Sequence, residues 1–451
     1  MIARMVILGA SGDLTGRLLL PAVAQLLEAG RLPAGLTIVG ASNVEWTTDD
    51  FREHIDAELA RHAAVGVSAR DAAVRSLNFQ PCDVTDPAAL SAVIGRDRPD
   101  TLVYLALPPS LFAPVLRTLA ATGLRSSDAV GIEKPFGTDL ASAQQLNEII
   151  RLELPAPTIF RIDHFLSSDL VRRVLSLRFL NRVFEPVWNG GHIERVDISW
   201  LETLALEGRA GYYDGTGALK DMVQNHLMEA LALILMELPS RFDAYSVRDV
   251  RVEALRSVAP PSPGRIRDDT ARARYTEGDI GNRHVPAYVD EPGVDPARDT
   301  ETYASLTVGV ESPRWTGVPF TLRSGKGLAS DTAEVAVHFR PLPRYLLDQW
   351  PAAEPNVLRI GLTRPYVRLS ATFNGPERTA ETRELEARTS APRFSAYANL
   401  VLAMLHNDPM LFIRGDEAEE SWRVVDPVLA AWARGEVPMQ EYVAGQAPPG
   451  V

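Results

Sequence analysis

At 451 residues the chain is longer than one compact core usually supports, so two domains are expected. Hydrophobic residues make up 46% and charged residues 23%, and the formal net charge of −12 argues against nucleic acid or an anionic membrane surface as a general partner. The single cysteine, Cys82, excludes an intrachain disulfide and a cysteine metal set, and the longest apolar run, Ala230 to Met236, is far short of a membrane span, so a soluble cytoplasmic protein is expected.

Without a signal-peptide pattern, the chain runs straight into Met5-Val-Ile-Leu8, a short buried-strand run. Gly9-Ala10-Ser11-Gly12-Asp13-Leu14-Thr15-Gly16 follows, and residues 18–27 then have helical spacing. Strand, glycine turn, helix is the context in which a helix N-terminus can present N–H groups to a pyrophosphate. The spacing is GxxG and not GxGxxG, so an ordinary tight βα turn stays open beside a nucleotide cradle.

Residues 36–40 form a second strand. In a dinucleotide fold an acid at its end takes the ribose hydroxyls and an arginine takes a 2′-phosphate. Ala41-Ser42-Asn43 is neither, so NAD and NADP both stay open. Residues 77–84 read as a third strand, whose end at Asp83 and Val84 would border the adenine. The fourth and fifth strands are 102–106 and 129–132, the latter leading into Glu133-Lys134-Pro135. A lysine at a strand's carboxyl end in an open parallel sheet points into the ligand crevice, although a solvated loop charge is the plain alternative for Lys134.

The run at 158–162 ends in Asp163 and His164, where a strand hands over to a helix. Next comes a helix with Arg172, Arg173, Arg178 and Arg182, expected to be a solvated or partner-facing flank. A strand at 193–201 ends at Glu202. A glycine-rich turn introduces a long helix with apolar residues at Leu219, Met222, Val223, Leu227, Leu231 and Ile234. That period puts His226 on the face shared with Met222, Val223 and Ala230. Such a histidine is most often a core residue. Here a carboxylate at a strand end, Asp163, could hold one ring nitrogen and leave the other as a base near neutral pH.

Residues 260–283 are polar and rich in Pro, Gly and Arg, and predict a long surface excursion. Runs at 303–310, 318–322, 335–339, 357–362 and 367–373 predict a largely antiparallel sheet. The tail, 435–451, has few apolar anchors and is expected to be loosely held. The expected organisation is α/β plus α+β: a Rossmann domain over 1–165 and a larger α+β domain over 166–451.

Several ordered blocks make the chain resemble the glucose-6-phosphate 1-dehydrogenase family over nearly its whole length. They are GASGDL from Gly9, YLALPP from Tyr104, EKPFG from Glu133, RIDH from Arg161 and FxNRxFxPxWN from Phe179. EGRxGYYD from Glu207, DxxQNHLxE from Asp221, VPFxLRxGK from Val318 and SAYxxLxL from Ser395 complete the set. The resemblance implies oxidation of a sugar phosphate at C1 with NADP as cofactor, NAD not being excluded, and with no metal. His226 would take the C1 hydroxyl proton and Asp163 would orient its ring. Lys134, Glu202, Asp221 and Lys326 would bind the sugar, and His164 its 6-phosphate. Gly9, Ala10, Ser11, Gly12, Asp13, Leu14, Asn43, Asp83, Val84 and Lys134 would hold the dinucleotide. A cis Lys134–Pro135 bond and a homodimer or homotetramer are also implied.

The departures bear on substrate and cofactor. Phe165 and Ser168 stand where the family's phosphate cluster has a tyrosine and a lysine, and Leu18 stands in place of another lysine. Asp331 falls where a basic residue is common, Asn43 where an NADP-reading arginine lies, and Phe112 where a tyrosine borders the cofactor. Ser167 or Ser168 could instead cap the following helix. Two further readings stay open: a dehydrogenase for an unphosphorylated or different aldose, and a cofactor-binding regulator without turnover.

Overall fold

The computed structural model describes residues 2–33, 35–154, 157–167, 170–350, 353–375, 379–390 and 392–448. The chain forms two compact units. The first holds Met1–Ser168, Pro239–Asp249 and Pro392–Glu419; the second holds Asp169–Leu238, Val250–Ala391 and Glu420–Val451. A boundary at residue 165 with everything later in one domain therefore differs from this division, because two later segments join the first unit. The longer of them does so through an apolar helix, Ala396–Leu405, whose Ala398, Leu400, Val401, Met404 and Leu405 lie in the same core as Ile7, Val23 and Leu26. The Ile2 N–H donates to the Leu405 carbonyl at 3.1 Å, and Phe160 packs on Phe412 with ring centroids 4.5 Å apart.

The first unit is built on a parallel sheet of β1 (Arg4–Leu8), β2 (Thr37–Ser42), β3 (Leu77–Pro81), β4 (Thr101–Leu105), β5 (Ala129–Glu133) and β6 (Thr158–Ile162). Their order is β3-β2-β1-β4-β5-β6, so the winding reverses between β1 and β4. In a sheet of this order the crevice outside the carboxyl ends is where ligands bind. Strands buried on both faces read as continuous apolar runs, which is why these were visible in the sequence.

The second unit carries β7 (Ile193–Leu201), β8 (Val258–Ala259), β9 (Thr270–Thr276), a small hairpin of β10 (Gly278–Ile280) and β11 (Arg283–Val285), then β12 (Tyr303–Val310), β13 (Phe320–Gly325) and β14 (Thr332–Phe339). β15 (Val357–Gly361), β16 (Tyr366–Asn374), β17 (Ala380–Arg388) and β18 (Met439–Val443) complete it. Among the described residues its large sheet runs β17-β16-β15-β14-β7-β13-β12-β9-β18, with β8 alongside β12. Only the β7/β13 and β18/β9 pairs are parallel.

Three expectations are corrected in this unit. The stretch 260–283 is not all surface, because it contains β9, where Ala273 and Tyr275 are buried. Nor is the described part of the tail, 435–448, loose: β18 pairs in parallel with β9, and Tyr442 is buried. On the helix Leu170–Phe179, Arg173 and Arg178 are buried; Arg172 alone of these three is exposed. Among the described residues no helix is long and apolar enough to cross a membrane.

Candidate active site

In the first unit, five strand ends carry the expected residues. The turn Gly9 to Leu14 follows β1, Asn43 follows β2, Asp83 and Val84 follow β3, Lys134 follows β5, and Asp163 and His164 follow β6. The glycines of the turn have separate physical jobs. Gly9 has φ +88°, and a Cβ there would lie 2.1 Å from the Ala106 carbonyl oxygen, so only glycine lets the chain turn between β1 and β4. Gly12 is exposed, and a Cβ there would meet only the Gly9 carbonyl, at 3.2 Å. Gly16 is buried against Glu58. Tight turn, open approach and close packing are the three jobs that a dinucleotide-binding turn requires, so these residues fit a pyrophosphate.

Beyond the turn, Asn43 is exposed, and Asp83 closes a local turn by accepting from Thr85 N–H at 2.9 Å and Thr85 Oγ1 at 2.7 Å. The Lys134–Pro135 bond is cis, as the resemblance implied. Asp163 is buried, and its Oδ1 accepts the Phe165 N–H at 3.0 Å, which fixes the carboxylate just past β6. His164 is partly exposed, 3.8 Å from the Asp163 carboxylate, and its ring lies parallel to Tyr397 with centroids 6.1 Å apart. Tyr397 also donates to Glu133 Oε1 at 3.3 Å, and Tyr104 donates to the same oxygen. Burial pushes the Glu133 carboxyl up to about 7, opposed by the Tyr104 hydroxyl and reinforced by Asp163. Both tyrosines sit in blocks noticed in the sequence, yet neither had been given a role.

In the second unit, His226 lies in Leu219–Leu227, a π-helical segment that continues as the α-helix Met228–Leu235. The wider i→i+5 winding alters the face expected from a 3.6 period: Val223, His226 and Ala230 are buried, while Met222 is only partly so. His226 stacks on Trp200 of β7, with ring centroids 6.0 Å apart and planes at 26°. Strand alternation puts Trp200 on the face of Val196 and Ile198, a signal that could have found it.

Glu202, just past β7, pairs with Lys326, just past β13, at 2.6 Å. The two loops interlock through Glu202 N–H to Gly325 O at 2.9 Å and Leu328 N–H to Glu202 O at 3.0 Å. Asp221 accepts from Tyr212 OH at 3.2 Å.

The carboxyl end of this helix explains the buried arginine. Arg178 Nη1 donates to the Leu233 and Ile234 carbonyls at 3.0 and 3.2 Å, Trp188 Nε1 to Ile234 O at 2.9 Å, and Trp315 Nε1 to Leu235 O at 3.2 Å. A cation at the carbonyl end complements the helix dipole and satisfies groups that a helix leaves unpaired there. Arg173 donates to the Gly361 carbonyl.

The family's departures take definite places. Phe165 is 3% exposed and has no hydroxyl to offer a phosphate. Leu18 is exposed and Phe112 is buried. Asp331 caps a loop by accepting from Thr203 N–H and Oγ1 at 2.7 and 3.0 Å. Ser167 donates to the His164 carbonyl at 2.7 Å, while Ser168 lies outside the described residues.

Comparison with known proteins bears on this geometry. The family Glucose-6-phosphate dehydrogenase, NAD binding domain, matches residues 6–173, and Glucose-6-phosphate dehydrogenase, C-terminal domain, matches residues 175–450. The glucose-6-phosphate 1-dehydrogenase of Gluconobacter oxydans (strain 621H) is 36% identical over 474 residues, covering 98% of this chain and 93% of that one. Among solved structures, the glucose-6-phosphate 1-dehydrogenase of Mycobacterium avium superposes with a TM-score of 0.87 at 30% identity, covering 99% of this chain and 94% of that chain. A glucose-6-phosphate dehydrogenase solved in complex with its substrate glucose-6-phosphate gives 0.88 at 29% identity, covering 99% and 95%.

Proposed function

This chain belongs to the glucose-6-phosphate dehydrogenase family, and we propose that it oxidises glucose 6-phosphate at C1 to the 6-phosphoglucono-lactone. The observation that carries the mechanism is a buried imidazole, His226, set against Trp200 in a unit that also holds the Glu202–Lys326 pair. His226 takes the proton of the C1 hydroxyl while the C1–H bond breaks, and the C1–O bond becomes a carbonyl. The proposed role of Asp163 is to hold the imidazole in one orientation, which its own fixed, buried position after β6 supports. Glu202 and Lys326, each neutralising the other until a sugar arrives, offer an acceptor and a donor to its hydroxyls, and Asp221 adds a second acceptor. Lys134 binds at the hydroxyl end and His164 at the phosphate.

A nicotinamide dinucleotide, when bound, accepts the hydride. The turn Gly9 to Leu14, with Asn43, Asp83, Val84 and Lys134, would hold it; NADP is the dinucleotide proposed, as the family resemblance implies, and NAD is the alternative, because Asn43 offers no charge to a 2′-phosphate. A reducing cytoplasm and a homodimer or homotetramer belong to the same proposal.

His226→Ala tests the reading. It should cut kcat by about 10²–10⁴ and leave cofactor affinity nearly unchanged, because a base acts in the transition state. Surviving kcat would remove His226 from the chemistry. The buried Phe165 favours a second reading, an aldose dehydrogenase less dependent on phosphate, since each lost charge-assisted contact costs about 1.5–3 kcal/mol. A higher kcat/KM for glucose than for glucose 6-phosphate in the parent enzyme would establish it.

A further inference from the structure

The helix that carries His226 is clamped at its carbonyl end by Arg178, Trp188 and Trp315, and at its N–H end by something less expected. Glu301, just before β12, is buried, and its Oε1 accepts the Leu219 N–H at 2.9 Å. The space for that carboxylate is made by Gly217, which has φ +72° and whose Cβ would lie 2.5 Å from Glu301 Oε1. The Glu301 carbonyl accepts the Ala218 N–H at 3.3 Å and the Tyr213 hydroxyl at 3.3 Å. The next residue reaches the other half of the sugar site: the Thr302 carbonyl accepts the Lys326 N–H at 3.0 Å, and the Thr302 hydroxyl meets Tyr442, which donates to the Lys326 carbonyl at 2.6 Å.

We propose that Glu301 is a positioning residue for the dehydrogenase reaction, anchoring the amino end of the His226 helix so that the imidazole stays seated against Trp200. An acceptor at the N–H end and a cation at the carbonyl end meet the groups a helix leaves unpaired at its termini, and a helix held at both ends resists sliding along its axis. A shift on the order of 1 Å at a catalytic group is enough to cost about 10²-fold in rate. The groups facing this carboxylate are Tyr213, Lys220 on the helix itself, Arg272 of β9 and Tyr288. Burial pushes its carboxyl up to about 7, with the Leu219 N–H, then Arg272 and Lys220, pulling it back.

This inference rests on His226 as the base, and its test keeps the two separable. In Glu301→Ala, kcat should fall about 10- to 100-fold while KM for the dinucleotide is unchanged. Amide hydrogen exchange across residues 219–227 should speed up in the same variant. Glu301→Gln, which keeps the shape and one acceptor oxygen, should restore most of the kcat. Glu301→Asp, which withdraws the carboxylate by one methylene, should not, and it decides the matter should the alanine variant fail to fold. Unchanged kcat in Glu301→Asp, or a fall in kcat with unchanged exchange at 219–227, overturns the proposal. If His226→Ala keeps its kcat while Glu301→Asp still loosens 219–227, the base assignment fails and the anchoring of the helix stands.

Discussion

A carboxylate stands at each end of β5, and the two live in opposite chemistry. Asp128, the residue before the strand, is fully buried and takes a two-pronged grip from Arg98 at 2.7 and 2.8 Å. It also accepts the N–H groups of Arg125 at 2.7 Å and Thr101 at 2.9 Å. Burial alone would raise its carboxyl; Arg98, then the two N–H groups, outweigh that and hold it well below the usual carboxylate range. Glu133, the last residue of the strand, meets tyrosine hydroxyls where Asp128 meets arginines, and burial wins. Every dinucleotide- or sugar-binding candidate of this unit lies at the Glu133 end of the sheet, and none touches the Asp128 hub. The sheet has an end tied by an ion-pair hub and an end that carries the candidate site, which is where an open parallel sheet binds its ligands.

That division breaks most visibly if the ends are exchanged in experiment. Asp128→Ala leaves the Arg98 side chain, 5% exposed, as an uncompensated buried charge, which typically costs about 3–5 kcal/mol. Urea unfolding should show the loss, while kcat per folded molecule stays at the parent value. Lost turnover with unchanged stability would put chemistry at the wrong end of the strand. Asn43→Arg probes the other end, at the exposed tip after β2. One charge-assisted contact to a 2′-phosphate is worth about 1.5–3 kcal/mol, roughly a ten- to hundredfold gain in the NADP over NAD ratio of kcat/KM. The melting temperature should not move, and an unmoved ratio would place the 2′-phosphate on other residues.

The sequence showed the candidate-site end better than the structural one, for a physical reason. β6, β7 and β12 have the boundaries expected of them because apolar and β-branched runs mark buried strands. β17 was invisible: Ala380–Arg388 is mostly exposed and charged, an edge strand held by pairing with β16 and not by burial. In β9 the buried Arg272 interrupts the apolar pattern, and what satisfies it, the Val437 carbonyl at 2.9 Å, lies 165 residues away. Arg178 misled for the same cause, since the carbonyls it caps belong to a helix about fifty residues later. Motif blocks contain the candidates Lys134, Asp163 and His226, and a strand end marks Glu202, but the partners that set their surroundings, Trp200, Tyr397 and Glu301, take up those places only on folding.

The effect that builds most gradually is the sharpest test of the comparison. Glu133→Gln keeps an acceptor for Tyr104 but cannot ionise. The folded Glu133 carboxyl, raised from 4.5 to about 7, retains between those values a proton that the unfolded chain has already lost. Its stabilising contribution is therefore complete below pH 4.5 and disappears as pH rises through 7, at up to about 1.4 kcal/mol per pH unit. Asp128 has the opposite sign: its folded value is depressed, so its contribution is present above the unfolded value of 3.8 and lost as pH falls. The stability difference between parent and Glu133→Gln, followed by unfolding at stepped pH, should decline across the window from 4.5 to 7 and then run flat. Taking the difference removes the titrating groups that do not interact with Glu133, the buried Glu301 among them. A difference that stayed level across the window would mean that Glu133 ionises as freely folded as unfolded, and the two ends of β5 would then differ in position but not in kind.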